Sequence, residues 1–119
     1  MEYKLSDAEL EIMNLLWDNV SMQASDITAI TKQKIGWERN TTYTLLQRLI
    51  KKGAITRTDP NFICAAVAKR DKIRQTETKG LLDKLYGGSM KLFIKSFIKE
   101  QKLSKEEIAE LKKLIDEME

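Results

Sequence analysis

One stretch decides the fold, and it reads Trp37-Glu-Arg-Asn-Thr-Thr-Tyr-Thr-Leu-Leu-Gln-Arg-Leu-Ile-Lys-Lys-Gly53. Wound as a helix at roughly 100° per residue, it divides into two faces. The first face is apolar and carries Leu45, Leu46, Leu49 and Ile50, with Thr42 among them. The opposite face is polar and carries Asn40, Thr44, Gln47 and Lys51, flanked by Thr41 and Arg48. The apolar face is suited to a core, and the polar face to hydrogen bonds with base edges and phosphates.

The residues after this helix predict a β-hairpin. Gly53 ends the helix, and residues 55–58 form an extended run. Asp59-Pro60-Asn61 has turn chemistry, because proline presets φ and Asp or Asn closes the bend through its side chain. Residues 62–67 supply the return strand. A helix with one basic, hydrogen-bonding face followed by a hairpin is the pattern of a winged helix-turn-helix that binds DNA. A polar outer face that is simply solvated remains the alternative for the helix taken alone.

Two further helices are predicted upstream. Ser6-Asp-Ala-Glu9 is a capping box, and apolar side chains at helical spacing then indicate a first helix over about residues 7–19. Ser25-Asp26 is expected to cap a second helix that runs to about residue 34 and is broken by Gly36. The third helix is expected to begin near residue 40 or 41 and to end at residue 52.

The C-terminal half predicts three amphipathic helices, over about residues 71–86, residues 90–100 and the segment that follows a second capping box at Ser104. Their apolar surface is too large to pack on the N-terminal part alone, so we expect dimerisation through it, with a monomeric helical cap as the alternative. The prediction is therefore a mostly α fold with a small β wing. A winged-helix DNA-binding domain occupies residues 1–68 and a helical dimerisation domain residues 69–119. The expected dimerisation residues are Leu81, Leu82, Leu85, Leu92, Phe93, Phe97, Ile98, Ile108, Leu111, Leu114 and Ile115.

Charge is unevenly distributed along the 119 residues, although the net charge is only +3. Residues 1–31 carry one base against six acids, and residues 37–58 carry five bases against one acid. Residues 69–102 carry ten bases against four acids, and residues 104–119 three bases against six acids. Positive charge on the third helix and after the hairpin favours a polyanionic partner.

The composition argues against several chemical functions. Cys64 is the single cysteine and the chain has no histidine, so neither an internal disulfide nor a Cys/His zinc site can form. We expect Cys64 to be a small buried strand residue. We find no nucleophile–base pair or glycine-rich phosphate loop, and therefore predict a non-enzymatic protein without a cofactor or metal. The sequence shows neither a signal-peptide pattern nor a membrane-spanning run, which predicts a cytoplasmic protein.

The order of elements and several local strings resemble the penicillinase repressor family, the BlaI/MecI-type repressors with CopY-like copper repressors as cousins. The N-terminal strings are Leu5-Ser-Asp-Ala-Glu9, Trp17, Trp37, Thr41, Thr44-Leu45 and Arg48-Leu49 running into Lys51-Lys-Gly53. The C-terminal strings are Tyr86-Gly-Gly88 and Leu103-Ser-x-x-Glu-Ile-x-x-Leu111. The likeness spans nearly the whole chain, and its specificity lies in the order and spacing of the strings.

This resemblance implies a homodimeric repressor on a partly palindromic operator ahead of β-lactam resistance or related genes. It also implies release by proteolysis, triggered by a membrane β-lactam sensor that acts indirectly. The family's cut falls between Asn and Phe, and the corresponding bond here is Ser96–Phe97. This chain departs from the family in carrying Glu38-Arg39-Asn40 instead of Ser-Pro-Lys, Tyr43 instead of a frequent Arg, and Ser96 instead of Asn. Cys64 alone, without the paired cysteines of the copper branch, disfavours copper sensing.

The predicted DNA-binding residues follow from the faces of the third helix and from the hairpin. Asn40, Thr41, Thr44 and Gln47 are expected at base edges. Arg48, Lys51, Lys52 and Arg57 are expected at phosphates. Tyr43 is expected either to contact DNA bases or to pack against the protein. Trp37 is expected to pack at the entry of the helix. The competing hypothesis is a winged-helix interaction module whose basic face binds an acidic protein without sequence-specific DNA recognition.

Overall fold

The computed structural model describes residues 3–118. Within that range the chain forms six helices and one three-stranded sheet. In chain order they are α1 (Asp7–Trp17), β1 (Met22–Gln23), α2 (Ala24–Ile35), α3 (Arg39–Lys51), β2 (Ile55–Thr58), β3 (Ile63–Ala66), α4 (Arg70–Tyr86), α5 (Met90–Gln101) and α6 (Lys105–Glu117). The predicted class, mostly helical with a small β wing, is confirmed.

Local chemistry sets several helix ends. The Ser6 hydroxyl accepts a hydrogen bond from the Glu9 backbone N–H at 3.1 Å, and the Glu9 carboxylate accepts one from the Ser6 N–H at 2.8 Å. This is the predicted capping box, and the same pair of bonds joins Ser104 and Glu107 at α6. Gly36 ends α2 at φ +84°, a conformation that glycine adopts without a Cβ penalty.

The start of α2 was predicted wrongly. The helix begins at Ala24, and its N-cap is Gln23 rather than Ser25 or Asp26. The Ala24 N–H instead donates to the carbonyl of Phe62 at 2.9 Å. A backbone carbonyl from the hairpin, rather than a local side chain, therefore accepts the first N–H of this helix.

The sheet is antiparallel, in the order β1-β3-β2. β2 has the bounds that the sequence predicts, and β3 is shorter than the predicted run of residues 62–67. The sequence did not predict β1, which pairs Met22 with Cys64 and Gln23 with Ile63. Cys64 is buried as expected, and burial raises the pKa of its thiol while the charge of Arg57 lowers it in part.

The main core lies among α1, α2, α3 and the sheet. Its largest fully buried apolar side chains are Ile12, Met13, Leu16, Ile27, Leu46 and Leu49. Trp37 is half-buried against this core, as predicted. The Trp17 indole N–H donates to the Ala68 carbonyl at 2.8 Å, and Arg70 pairs with Asp18 at 2.6 Å. These contacts hold the start of α4 on α1.

The chain divides into two compact units, residues 1–76 and 77–119. The division falls inside α4, beyond the boundary between residues 68 and 69 that the sequence suggested. Ile73 explains the difference for the first unit, because it is buried in the main core although it lies on α4. No helix among residues 3–118 is both long and apolar enough to cross a membrane.

Candidate nucleic-acid interface

Helix α3, hereafter the reading helix, has one face fixed in the core and one face in solvent. Thr42, Leu45, Leu46 and Leu49 are buried, and Ile50 is half-buried against the core. The exposed residues are Arg39, Asn40, Thr41, Thr44, Gln47, Arg48 and Lys51. The predicted division of this helix into faces is confirmed, and the role of its exposed face in DNA binding stays a prediction.

The exposed face contains a shallow open depression. It is lined by Asn40, Thr41, Thr44, Leu45 and Arg48. Amide, hydroxyl and guanidinium groups surround it, so it offers donors, acceptors and threonine methyl groups at one place. This variety suits the edges of DNA bases, which differ in their donors, acceptors and methyl groups.

A buried hydrogen bond fixes the reading helix on α2. The hydroxyls of Thr31 and Thr42 lie 2.7 Å apart, and both residues are fully buried. The Thr31 hydroxyl also donates to the Thr28 carbonyl at 3.2 Å, so Thr42 is the donor in the pair. The bond orients two helices with groups that would each be costly to bury alone.

Lys52, a predicted phosphate ligand, is turned toward α1. Its ammonium donates to the Glu9 carboxylate at 2.6 Å and to the Lys4 carbonyl at 2.7 Å. Glu9 is only 2% exposed. The structure therefore assigns this lysine an intramolecular partner, whereas its neighbour Lys51 lies on the exposed face.

Tyr43 lies at the side of the reading helix that meets the hairpin. It is half-buried, and its ring meets the ring of Phe62 edge-on at a centroid separation of 5.6 Å. Arg57 of β2 lies over the other aromatic ring, with its guanidinium carbon 3.7 Å from the Phe62 centroid. Arg39 lies 4.9 Å over Tyr43. Neither Arg39 nor Phe62 was predicted as a site residue, although the spacing of Arg39 and Tyr43 by four residues on one helix is a signal for their contact.

The C-terminal helices expose most of the predicted dimerisation residues. None of the residues of α5 or α6, all within the described part of the chain, is buried. Large apolar side chains are exposed along them and at the end of α4, and the predicted dimerisation residues among them are Leu81, Leu85, Leu92, Phe97, Leu111, Leu114 and Ile115. Phe93, Ile98 and Ile108 are half-buried. Leu82 differs from the others because it is only 7% exposed in the single chain.

The Ser96–Phe97 bond lies in the middle of α5. Phe97 belongs to an aromatic row in which Tyr86 and Phe93 are 5.2 Å apart and Phe93 and Phe97 are 5.7 Å apart between centroids. Proteases cleave segments that have opened, so cleavage of this bond requires α5 to unwind locally.

Comparisons with known proteins agree with this architecture. The family model for the penicillinase repressor matches residues 5–117. The Penicillinase repressor of Staphylococcus aureus is 31% identical over 119 residues, with 98% of this chain and 94% of that protein covered. The Methicillin resistance regulatory protein MecI of Staphylococcus aureus (strain N315) is 30% identical over 116 residues, with 96% and 94% covered. The Penicillinase repressor of Bacillus licheniformis is 30% identical, with 96% and 91% covered.

Two solved structures share the N-terminal fold. The solution structure of the DNA-binding domain of the repressor BlaI superposes with a TM-score of 0.55 at 30% identity, covering 58% of this chain and 87% of that one. The monomeric form of Bacillus licheniformis BlaI in complex with the blaP half-operator gives a TM-score of 0.52 at 29% identity, covering 59% and 88%. The predicted winged helix is confirmed.

Proposed function

Because the chain belongs to the penicillinase repressor family, we propose that it is a transcriptional repressor that binds double-stranded operator DNA as a homodimer. One observation carries the proposal. The reading helix presents a row of varied hydrogen-bonding side chains to solvent while its other face is fixed in the core. The proposal also draws on the solved complex of a relative, BlaI, with a half-operator.

In this proposal the reading helix lies in the major groove. Asn40 and Gln47 are able to pair with adenine through two hydrogen bonds, and the methyl groups of Thr41 and Thr44 to contact thymine methyl groups. Arg48 and Lys51 on the same helix, together with Arg57 on β2, bind phosphates. Lys52 holds Glu9 and the Lys4 carbonyl with its ammonium, and the third donor of this partly exposed group is able to contact a phosphate as well.

The C-terminal helices hold two copies together. Their exposed leucines and isoleucines, together with Phe97, form a large apolar surface that no other part of residues 3–118 covers, and a second copy of the same helices is the simplest way to cover it. A two-fold dimer places its two reading helices roughly 34–36 Å apart, one turn of DNA, or a multiple of this spacing. The operator is then a partial palindrome. Genes for β-lactam resistance are the proposed targets, by analogy with the relatives' names.

Release follows from the loss of the dimer. A monomer holds a single half-site with about half the phosphate contacts, and its affinity at physiological salt is correspondingly low. Cleavage at Ser96–Phe97 would separate Phe97, the end of α5 and all of α6 from the DNA-binding domain. A membrane sensor of β-lactams is the proposed indirect trigger of this cleavage.

The proposal is tested by fluorescence anisotropy with DNA from upstream of the protein's own gene and of neighbouring genes, against scrambled DNA. Tight, dimer-stoichiometric binding to one upstream site is expected, with weak and steeply salt-dependent binding to scrambled DNA. Equal or absent binding to all probes would instead favour the interaction module that binds an acidic protein.

Substitutions on the reading helix separate base contacts from phosphate contacts. Gln47→Ala should alter the sequence preference and cost about 1–3 kcal/mol on the preferred site. Arg48→Ala should weaken binding to every sequence and reduce the salt slope by about one. Gln75→Ala on α4, also exposed, is the matched control. If both reading-helix variants bind like the control, the exposed face of α3 does not bind DNA.

A further inference from the structure

Two arginines, one from the reading helix and one from the hairpin, flank a pair of aromatic rings from the same two elements. Arg39 lies over Tyr43, Tyr43 meets Phe62 edge-on, and Phe62 lies under Arg57, at 4.9, 5.6 and 3.7 Å respectively. We call this row the ladder. It joins the first residue of the reading helix to a residue of β2 through two aromatic rings that are half-buried.

The backbone holds Phe62 at the centre of the ladder in an unusual conformation. Its φ is +48°, and that of Asn61 is +77°. For a bulky residue such as phenylalanine the left-handed region costs on the order of 1–3 kcal/mol. The Phe62 carbonyl accepts the hydrogen bond from the Ala24 N–H, which ties the hairpin to the start of α2. The ring is thus held under Arg57 and against Tyr43 at an energetic cost, which indicates a role beyond closing the turn.

Stacking fixes the plane of a guanidinium without using its hydrogen-bond donors. The five N–H groups lie around the edge, while the aromatic ring occupies the face. At Arg57 one donor, Nε, is directed to Asp59 at 3.2 Å. Both arginines are exposed despite their stacking. Each is therefore an oriented cation at the protein surface, which is the geometry that suits a phosphate group.

The ladder lies beside the reading helix on the flank opposite Arg48. Around the helix axis, the row of Asn40, Thr44 and Gln47 separates Arg48 on one side from Arg39 on the other. The major groove is bordered by two phosphate backbones, one on each side of a helix that lies in it. Cations on both flanks of the base-contacting row match that arrangement.

From these observations we infer that Arg39 and Arg57 bind the DNA backbone together, on one side of the groove, and that Tyr43 and Phe62 position them. This inference rests on the proposed function and adds Arg39 as a DNA-binding residue. It makes Tyr43 a positioning residue rather than a base contact. Phe62 is the member that fixes the wing relative to the reading helix.

Double-mutant cycles on the whole chain test the inference. Operator affinity is measured by fluorescence anisotropy over a range of salt concentrations. Arg39→Gln and Arg57→Gln should each reduce the salt slope by about 0.9. Arg57→Gln should lower the operator affinity less in the Phe62→Leu background than in the wild type. The two fold-losses in affinity should differ by a factor of about two to five, which corresponds to the free energy of an exposed cation–π contact. The same coupling is expected between Arg39→Gln and Tyr43→Leu.

Conservative variants, and a double-mutant cycle with a residue outside the ladder, distinguish a positioning role of the rings from an effect on folding. Phe62→Tyr and Tyr43→Phe keep the rings and should retain wild-type affinity and salt slope. Arg48→Gln should combine additively with Phe62→Leu, since Arg48 lies on the other flank. The inference would be overturned if the paired substitutions in the ladder had additive effects on affinity, or if Arg39→Gln left the salt slope unchanged, in a protein whose wild type binds the operator. Failure of the wild type to bind any operator would overturn the proposed function as well.

Discussion

Lys51 and Lys52 are adjacent in sequence but have different surroundings. Lys51 is exposed on the reading helix, whereas Lys52 is its C-cap residue and reaches across to α1. A basic sequence pattern cannot distinguish them, because the partner of Lys52 is Glu9, 43 residues away. Glu9 is polar and buried, yet it also completes the capping box of α1. One carboxylate thus stabilises a helix start and anchors the end of the reading helix.

This pair predicts a pH dependence of stability. Burial acts to raise the pKa of Glu9, but hydrogen bonds from Lys52 and Ser6 outweigh it, and the pKa is lowered in the folded protein. A lowered pKa stabilises the fold fully above the unfolded value of about 4.3, and this contribution is lost as pH falls through the folded pKa. Glu9→Gln should therefore reduce the free energy of unfolding at pH 7 by about 1–3 kcal/mol.

Urea unfolding followed by Trp17 and Trp37 fluorescence measures this effect at pH 7 and at several values below 4.3. The difference between Glu9→Gln and the wild type should shrink as the pH is lowered. Glu11→Gln, on the exposed side of the same helix, is the control and should change stability little. A Glu9→Gln protein as stable as this control at pH 7 would show that the pair with Lys52 contributes nothing.

The packing of α2 on the reading helix depends on an ordered pair of hydroxyls. Because Thr42 donates to Thr31, and Thr31 donates to the Thr28 carbonyl, the two threonines are not equivalent. Thr31→Val leaves the buried Thr42 hydroxyl without an acceptor and should cost about 1–3 kcal/mol. Thr42→Val leaves Thr31 with its own acceptor, so its cost should be smaller.

The double variant Thr31→Val/Thr42→Val completes the cycle. Removing both hydroxyls leaves no unpaired group, so the double variant should be more stable than Thr31→Val alone. Chemical unfolding of the three variants and the wild type gives the coupling energy. Equal costs for the two single changes, with an additive double, would contradict the direction of the hydrogen bond.

Elements with local signals could be predicted from sequence, and elements with distant partners could not. The capping boxes at Ser6 and Ser104, the stop at Gly36 and the extent of β2 all follow from nearby residues. β1 is only two residues long, and it exists through its pairing with β3. The start of α2 depends on the Phe62 carbonyl in the same way. The exposed row of the reading helix was predictable because helical periodicity alone fixes it.

Only part of the ladder could be predicted from the sequence. The contact of Arg39 with Tyr43 follows from helical spacing, but the position of Phe62 depends on positive φ values at two consecutive non-glycine residues. These values depend on hairpin geometry and on the bond to α2, neither of which is visible in the composition of the turn.

The molecule as a whole combines a packed N-terminal unit with C-terminal helices that bury little of their apolar surface. Leu114 of α6 is 54% exposed in the single chain, and neighbouring Lys113 is also exposed. If α6 packs on a second copy, Leu114→Asp places two carboxylates in the apolar interface, one from each chain, at a cost of several kcal/mol. The dimer dissociation constant should rise at least tens of fold. The fold of one chain should be unaffected, because Leu114 is not part of its core.

Sedimentation and operator binding of the full-length variant test this arrangement together. Leu114→Asp should be monomeric at concentrations where the wild type is dimeric. Its operator affinity should fall by at least tenfold, and its salt slope should be about half that of the wild type, because a monomer neutralises half as many phosphates. Lys113→Asp introduces the same carboxylate one residue away and should remain dimeric with near wild-type affinity. If Leu114→Asp stayed dimeric, the interface would lie outside α6. Loss of α6 by cleavage at Ser96–Phe97 would then not explain the release of DNA.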